Sequence, residues 1–281
     1  MIDPSRFDRD TAVTPRGRGI FDARIDRGWW IVRGPNGGYI AAILANAIAA
    51  AVDDPTRPLR SLTVHYLRPP REGAAEVEIR VERVGRTVST VTARLVQDGK
   101  LQALATAAHV MPRHSGGFQH ARMPEVPPPQ RCEARDEVGI ALHERFEQRF
   151  AIGPRDGDDE RTAEAVTGGW LRLREPRRWD TALLAACCDA WPPAVFSTRD
   201  MPEHGGGVPT VDLTVHLLDP EALARLAPED FVLAVFQTRT VRGGYLEEDG
   251  EIWSPAGDLL ARARQIGVVL QAAVEEPREM G

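Results

Sequence analysis

The sequence predicts an α+β protein built from two fused repeats, each a curved antiparallel sheet wrapped around one central helix. Three observations carry that prediction. The segment Leu62-Thr63-Val64-His65-Tyr66-Leu67-Arg68-Pro69 recurs as Leu213-Thr214-Val215-His216-Leu217-Leu218-Asp219-Pro220, identical at six of eight positions, and an internal repeat decides architecture before local propensity does. Each copy is preceded by an Ala-rich helical run, at 38–52 and 180–191. Each is followed by two or three strand-like segments that end in a short turn and a further strand.

Taken in order, residues 21–31 read as a strand, and Gly34-Pro35-Asn36-Gly37-Gly38 then turns the chain into a helix over Tyr39–Val52. Asn36 is a natural helix cap, and the glycines permit the tight entry. The helix is apolar on almost every side, so other structure must wrap it. Strands are expected at 59–68, 74–84, 87–97 and 100–111, where Val77, Ile79 and Val81 alternate with Glu76, Glu78, Arg80 and Glu82 in the two-residue period of a half-buried sheet. Gln97-Asp98-Gly99-Lys100 is a hairpin turn. One helix embraced by such a sheet is a hot-dog fold, and two make a double hot-dog.

Residues 112–142 carry five prolines and little periodicity, which marks a linker. The expected domains are therefore 1–111 and 143–281, joined by 112–142. In the second half, strands are expected near 143–152 and 162–174, a helix near 180–191, and strands near 210–218, 230–241, 244–253 and 258–271. The excursion Pro192 to Gly207, with His204-Gly205-Gly206-Gly207 inside it, is long enough to shape a pocket mouth.

The 281 residues, 42% of them hydrophobic, suffice for two domains of about 130 residues with real cores. A net charge of −6 argues against a nucleic-acid surface, which needs a clustered basic face. Neither a signal-peptide run nor a span of about 18 apolar residues is present, so the expectation is a soluble, cytoplasmic protein with no membrane partner. Three cysteines, two adjacent as Cys187-Cys188, form neither a disulfide framework nor a zinc pattern. They are expected to be small buried hydrophobes, and no metal or other cofactor is indicated.

Aligning the two copies exposes polar differences. Gln265 falls opposite Ala107, Thr210 opposite Leu59, and Asp189 opposite Asn46. A carboxylate on an apolar helix is costly unless it is hydrogen-bonded or faces a cavity, although one near a helix end can simply reach water. Gln265 extends a strand face whose other members, Ala261 and Ala263, are small and apolar. Each of the three has an ordinary explanation alone; together they mark a candidate site in the second half. His65 and His216 occur in both copies, which favours a shared structural job such as a strand-end hydrogen bond. There is no Gly-x-Ser-x-Gly elbow, and Arg113-His114-Ser115-Gly116-Gly117 reads as a polar turn.

These residues resemble the acyl-CoA thioesterase II (TesB-type) double hot-dog proteins over nearly the whole chain, from Phe21 through Gly38-Tyr39-Ile40 and Trp170-Leu171-Arg172 to Ala263-Arg264-Gln265-Ile266-Gly267-Val268. The resemblance implies a thioesterase that hydrolyses acyl-CoA by direct water attack, with Asp189, Thr210 (in Thr210-Val211-Asp212) and Gln265 holding the water. It also implies an acyl-CoA partner, a role in fatty acid metabolism and a homo-oligomer. Where the family often has glutamine after its Gly-Gly, this chain has Tyr39; the loop around His204 has no evident counterpart. On this reading Gly37, Gly38 and Tyr39 border the substrate. The backbone amides of the Gly37-Gly38 turn, or those near Asp180, would serve as an oxyanion site. Arg86, Arg239 and Arg242 are candidate contacts for the CoA phosphates, since guanidinium suits phosphate. Two other functions compete: a non-catalytic acyl-CoA binding or sensing protein, and a hot-dog hydratase, whose Asp-x-Asn-Pro-x-His type of motif is missing.

Overall fold

The computed structural model describes residues 4–113, 116–135, 139–154, 161–201 and 207–270. The first half runs α1 (Arg6–Asp10), β1 (Thr14–Gly17), β2 (Ile20–Ile25), α2 (Gly37–Val52), β3 (Leu59–Tyr66), β4 (Gly73–Val84), β5 (Val88–Gln97) and β6 (Lys100–Val110). The second runs β7 (Glu133–Ala134), β8 (Phe146–Ile152), β9 (Ala165–Leu173), α3 (Thr181–Cys187), β10 (Thr210–Leu217), α4 (Pro220–Arg225), β11 (Val232–Arg242), β12 (Tyr245–Trp253) and β13 (Leu259–Val268). The thirteen strands among the described residues join one sheet in the order β1-β2-β4-β5-β6-β3-β10-β13-β12-β11-β9-β8-β7.

The double hot-dog architecture is thus present, and the repeated segment is its seam. β3 and β10 pair antiparallel, with Thr63 opposite Thr214, Val64 opposite Leu213 and Leu62 opposite Val215. The repeat therefore pairs with itself about a local two-fold axis, and the two threonine hydroxyls meet there at 3.0 Å. The symmetry extends outward: Leu62 faces Ala107 while Leu213 faces Gln265. Both β3 and β10 carry a bulge at the same place, between Leu59 and Ser61 and between Thr210 and Asp212. The predicted equivalences of Gln265 with Ala107 and of Thr210 with Leu59 hold.

Helices α2 and α3 lie inside this sheet and pack on each other. Asn36 caps α2 by accepting from the Tyr39 amide at 3.0 Å, and Asp180 caps α3 by accepting from the Leu183 amide at 2.8 Å. Every α2 residue from Gly38 to Ile48 except Asn46 is buried, which explains a helix without a polar face. Cys187 and Cys188 are buried free thiols beside it. Among the described residues, no helix is long and apolar enough to cross a membrane.

Two expectations shift, and one helix is added. The strand expected over 21–31 stops at Ile25, because Asp26 caps a short 3-10 turn, Arg27–Trp29, by accepting from the Gly28 amide. The helix expected over 180–191 stops at Cys187. The amides of Cys188, Asp189 and Ala190 then bond to carbonyls three residues back, the tightening typical of a helix end, ahead of the Pro192-Pro193 block. Finally, Asp219-Pro220 starts a helix, α4, through an aspartate cap and a proline in its first turn, a pairing preorganised for helix entry.

Candidate functional site

Asp189 occupies the turn after α3, where the C-terminal end of that helix meets the N-terminal end of α2. The approach is close because α2 opens with glycines. A Cβ on Gly38 would lie 2.5 Å from the Ala186 carbonyl oxygen, and one on Gly37 would lie 2.9 Å from an Asp189 oxygen. That proximity lets the Gly38 amide donate to Asp189 Oδ2 at 2.9 Å. Asn36 Nδ2 donates to the same oxygen at 2.9 Å and to the Asp189 carbonyl at 2.7 Å. Tyr66 donates its hydroxyl to the Gly37 carbonyl at 2.8 Å, fixing the turn from the other side. Burial pushes the Asp189 carboxyl up to about 6, against the pull of the Gly38 and Gly37 amides and Asn36. It is then an anion at neutral pH, but a weakly solvated and basic one.

Across the cavity, Thr210 Oγ1 donates to Gln265 Oε1 at 3.0 Å. Gln265 Nε2 in turn donates to Glu248 Oε1 at 2.7 Å. The register produces this row directly, since Gln265 on β13 lies opposite Glu248 on β12, which lies opposite Thr238 on β11. Glu248 is 2% exposed and also accepts from the Ala194 amide at 2.5 Å and from the Thr238 hydroxyl at 3.4 Å. Burial raises its carboxyl to about 7; the amide and Gln265 oppose this, and the charge of Asp189 adds to it.

Asp189, Thr210 and Gln265 all line a cavity of about 540 Å³ whose walls include Gly37, Ile40, Tyr66, Trp191, Phe196 and Leu246. The structure therefore gathers the three predicted residues and Gly37 at one place. Gly38 contributes its amide, which already serves Asp189. The other proposed oxyanion position, at Asp180, lies at the far end of α3, where Asp180 pairs with Arg177 at 2.5 Å.

Tyr39 is a correction. Its side chain is fully buried, stacked on Trp29 at 5.1 Å. Its hydroxyl donates to the Asp10 carbonyl at 2.8 Å and accepts from the Asp26 amide. Gly37 and Ile40 turn toward the cavity; Tyr39, about 100° from Ile40 and about 160° from Gly37 around the helix, turns into the first-half core. Arg86, Arg239 and Arg242 are also absent from the described cavity wall, Arg239 pairing instead with Asp249 at 3.0 Å. Asn46, set against Asp189 in the alignment of the halves, is not part of the cavity wall; its amide donates to the Thr11 carbonyl and hydroxyl. His65 and His216 are exposed strand residues, outside the cavity wall. Ser115 and His204 lie outside the described residues.

Three site residues escaped the sequence reading. Asn36 was visible only as a cap, and Tyr66 only as part of the repeat. Glu248 sits in the acidic run Glu247-Glu248-Asp249, yet the alternation of Leu246, Gly250 and Ile252 puts position 248 on the inner face.

Fold and site together define a double hot-dog hydrolase that acts on thioesters. The chain belongs to the acyl-CoA thioesterase family: the family's N-terminal domain model matches residues 26–111 and its C-terminal domain model residues 120–269. A hot-dog protein of unknown function from Alicyclobacillus acidocaldarius is 30% identical, with a TM-score of 0.86 over 95% of this chain and 98% of its own. A putative thioesterase II from Thermobifida fusca is 26% identical, with a TM-score of 0.82 over 96% of this chain and 100% of its own. The acyl-CoA thioesterase II TesB2 of Mycobacterium marinum shares the fold at 19% identity and a TM-score of 0.75, covering 95% of this chain and 99% of its own. An uncharacterized protein of Mycobacterium tuberculosis is 24% identical over 283 residues, covering 89% of this chain and 91% of its own.

Proposed function

We propose that the protein hydrolyses acyl-CoA to a free carboxylic acid and CoA, with one water held between Asp189 and the Thr210–Gln265 pair. The observation that carries this reading is the clamping of the Asp189 carboxylate by Asn36 and Gly38, in the same cavity wall as Thr210 and Gln265. With Oδ2 occupied by two donors, Oδ1 is the oxygen that takes a hydrogen bond from water.

The water oxygen attacks the thioester carbonyl carbon and its proton passes to Asp189. The tetrahedral intermediate expels the CoA sulfur, which takes the proton back as the thiol. Holding water in this geometry before attack removes orientational freedom that the uncatalysed reaction must supply. The apolar wall at Ile40, Trp191, Phe196 and Leu246 suits the acyl chain. Arg33 and Arg68, exposed residues of the same wall, are better placed for CoA phosphates than Arg86, Arg239 and Arg242. We read the chain as hot-dog domains over 1–111 and 143–281 with a linker over 112–142, acting as a cytoplasmic homo-oligomer in fatty acid metabolism.

A single turnover in 18O-labelled water tests the mechanism. Direct attack puts the label in the released acid during the first turnover. Label found in the protein instead would mean a covalent acyl-Asp189 intermediate and would refute direct attack. Binding of acyl-CoA without thiol release would favour the sensing reading.

A further inference from the structure

Glu248 has no part in the three-residue site, yet it is buried immediately behind it. A carboxylate among apolar strands is expensive unless its oxygens are satisfied. Here the recorded partners are all groups able to donate: the Gln265 amide, the Ala194 amide and the Thr238 hydroxyl. None of them is a cation, and burial and the charge of Asp189 work against ionisation, so the carboxyl is raised to about 7 and is a pure acceptor only in its ionised form. An apolar residue would fill the same place at less cost, which asks for a reason beyond packing.

The reason lies in hydrogen-bond polarity. An ionised carboxylate only accepts, so Gln265 must turn its NH2 toward Glu248. Its carbonyl oxygen is then left for Thr210, whose hydroxyl donates to it. Having spent its proton, Thr210 offers the cavity only lone pairs. A water between Thr210 and Asp189 donates one hydrogen to each, and its own lone pair is left free to point at the thioester carbon. Reversing the chain at Glu248 turns Thr210 into a donor toward that water, which ties up one of its two lone pairs and turns the other away from the direction that two acceptors, Thr210 and Asp189, would set.

We propose that Glu248 is a positioning residue for hydrolysis, setting through Gln265 the direction in which Thr210 presents itself to the attacking water. The proposal rests on the thioesterase reading above. Glu248→Gln tests it, because the isosteric amide must give its oxygen to the Ala194 N–H and therefore its NH2 to Gln265, which inverts the chain. Release of CoA thiol from short-, medium- and long-chain and aromatic acyl-CoAs is measured for the purified full-length variant, together with its melting temperature.

The expected result is a kcat lower by about tenfold or more, a fall in the range of lost transition-state hydrogen bonds, with KM within about twofold and the melting temperature held. The exchange variant Glu248→Gln/Gln265→Glu restores an acceptor facing Thr210, and turns over faster than the single variant. Wild-type kcat in folded Glu248→Gln overturns the proposal. So does a folded exchange variant no faster than the single one, or inactive where the single variant does not fold. Thiol release by wild type and Glu248→Gln alike removes this proposal alone, whereas no release by wild type removes the thioesterase reading beneath it.

Discussion

Replacing Asp189 with asparagine should make the folded protein more stable at neutral pH while it stops turnover. The carboxyl rises from an ordinary 3.8 to about 6 in the folded chain, with burial the largest cause. Between those values the folded state holds a proton that the unfolded state has released, so stability falls as pH rises through that window and is fullest below it. A separation of about two pH units, at about 1.4 kcal/mol each, amounts to roughly 3 kcal/mol by pH 7. That figure is an upper bound, because Asp189 keeps partial access to the cavity and asparagine gives up one acceptor. Denaturant midpoints measured from pH 4 to 8 check it. The wild type should lose stability across the window, whereas the variant, with Glu248 still in place, should lose less and lie above it at pH 7. Parallel curves, or a variant less stable at pH 7, would refute the claim that the folded chain holds a destabilised carboxylate at this position.

Other perturbations separate site from scaffold. The rate constant kcat/KM should rise with pH as Asp189 ionises near 6 and Glu248 near 7, then level off; a profile flat from pH 5 to 8 would contradict a carboxylate base. Gly38→Ala forces a Cβ to 2.5 Å from the Ala186 carbonyl, so the helix ends must part. The expected cost is about 1–3 kcal/mol of stability, with a loss of kcat, both visible in melting and turnover assays. Tyr66→Phe leaves the Gly37 carbonyl without its hydroxyl donor and should cost about 1 kcal/mol by the same denaturant assay. Tyr39→Phe should destabilise by a similar amount yet leave acyl-CoA preference unchanged, because Tyr39 is buried away from the cavity; a changed preference would restore it to the substrate wall.

Much of this molecule is legible in the chain because its two signals are strong and mutually consistent. The Leu62–Pro69 repeat requires equivalent halves, and alternation along β13 and along β4 as far as Ile79 assigns faces that the structure respects, whereas Val81, beside a bulge, is exposed. Gln265 was readable for that reason: it breaks a small apolar face in one copy where Ala107 continues it in the other. What stayed hidden depends on contacts far apart in sequence. The Asn36–Asp189 bond joins residues 153 positions apart, and no local pattern distinguishes a cap that also holds a base. Tyr39 misled because its neighbours Gly37 and Ile40 do face the cavity, and one step along a helix rotates a side chain by about 100°. Glu248 was masked by its acidic neighbours, Glu247 and Asp249, which point outward from the same strand.

The most direct test of the account is CoA thiol release by wild type and Asp189→Asn side by side, on acyl-CoAs spanning chain length and aromaticity. The account predicts turnover by the wild type on at least one class, nearly abolished in a variant that still folds and binds the substrate. Undiminished release by Asp189→Asn would contradict the site at the junction of α2 and α3.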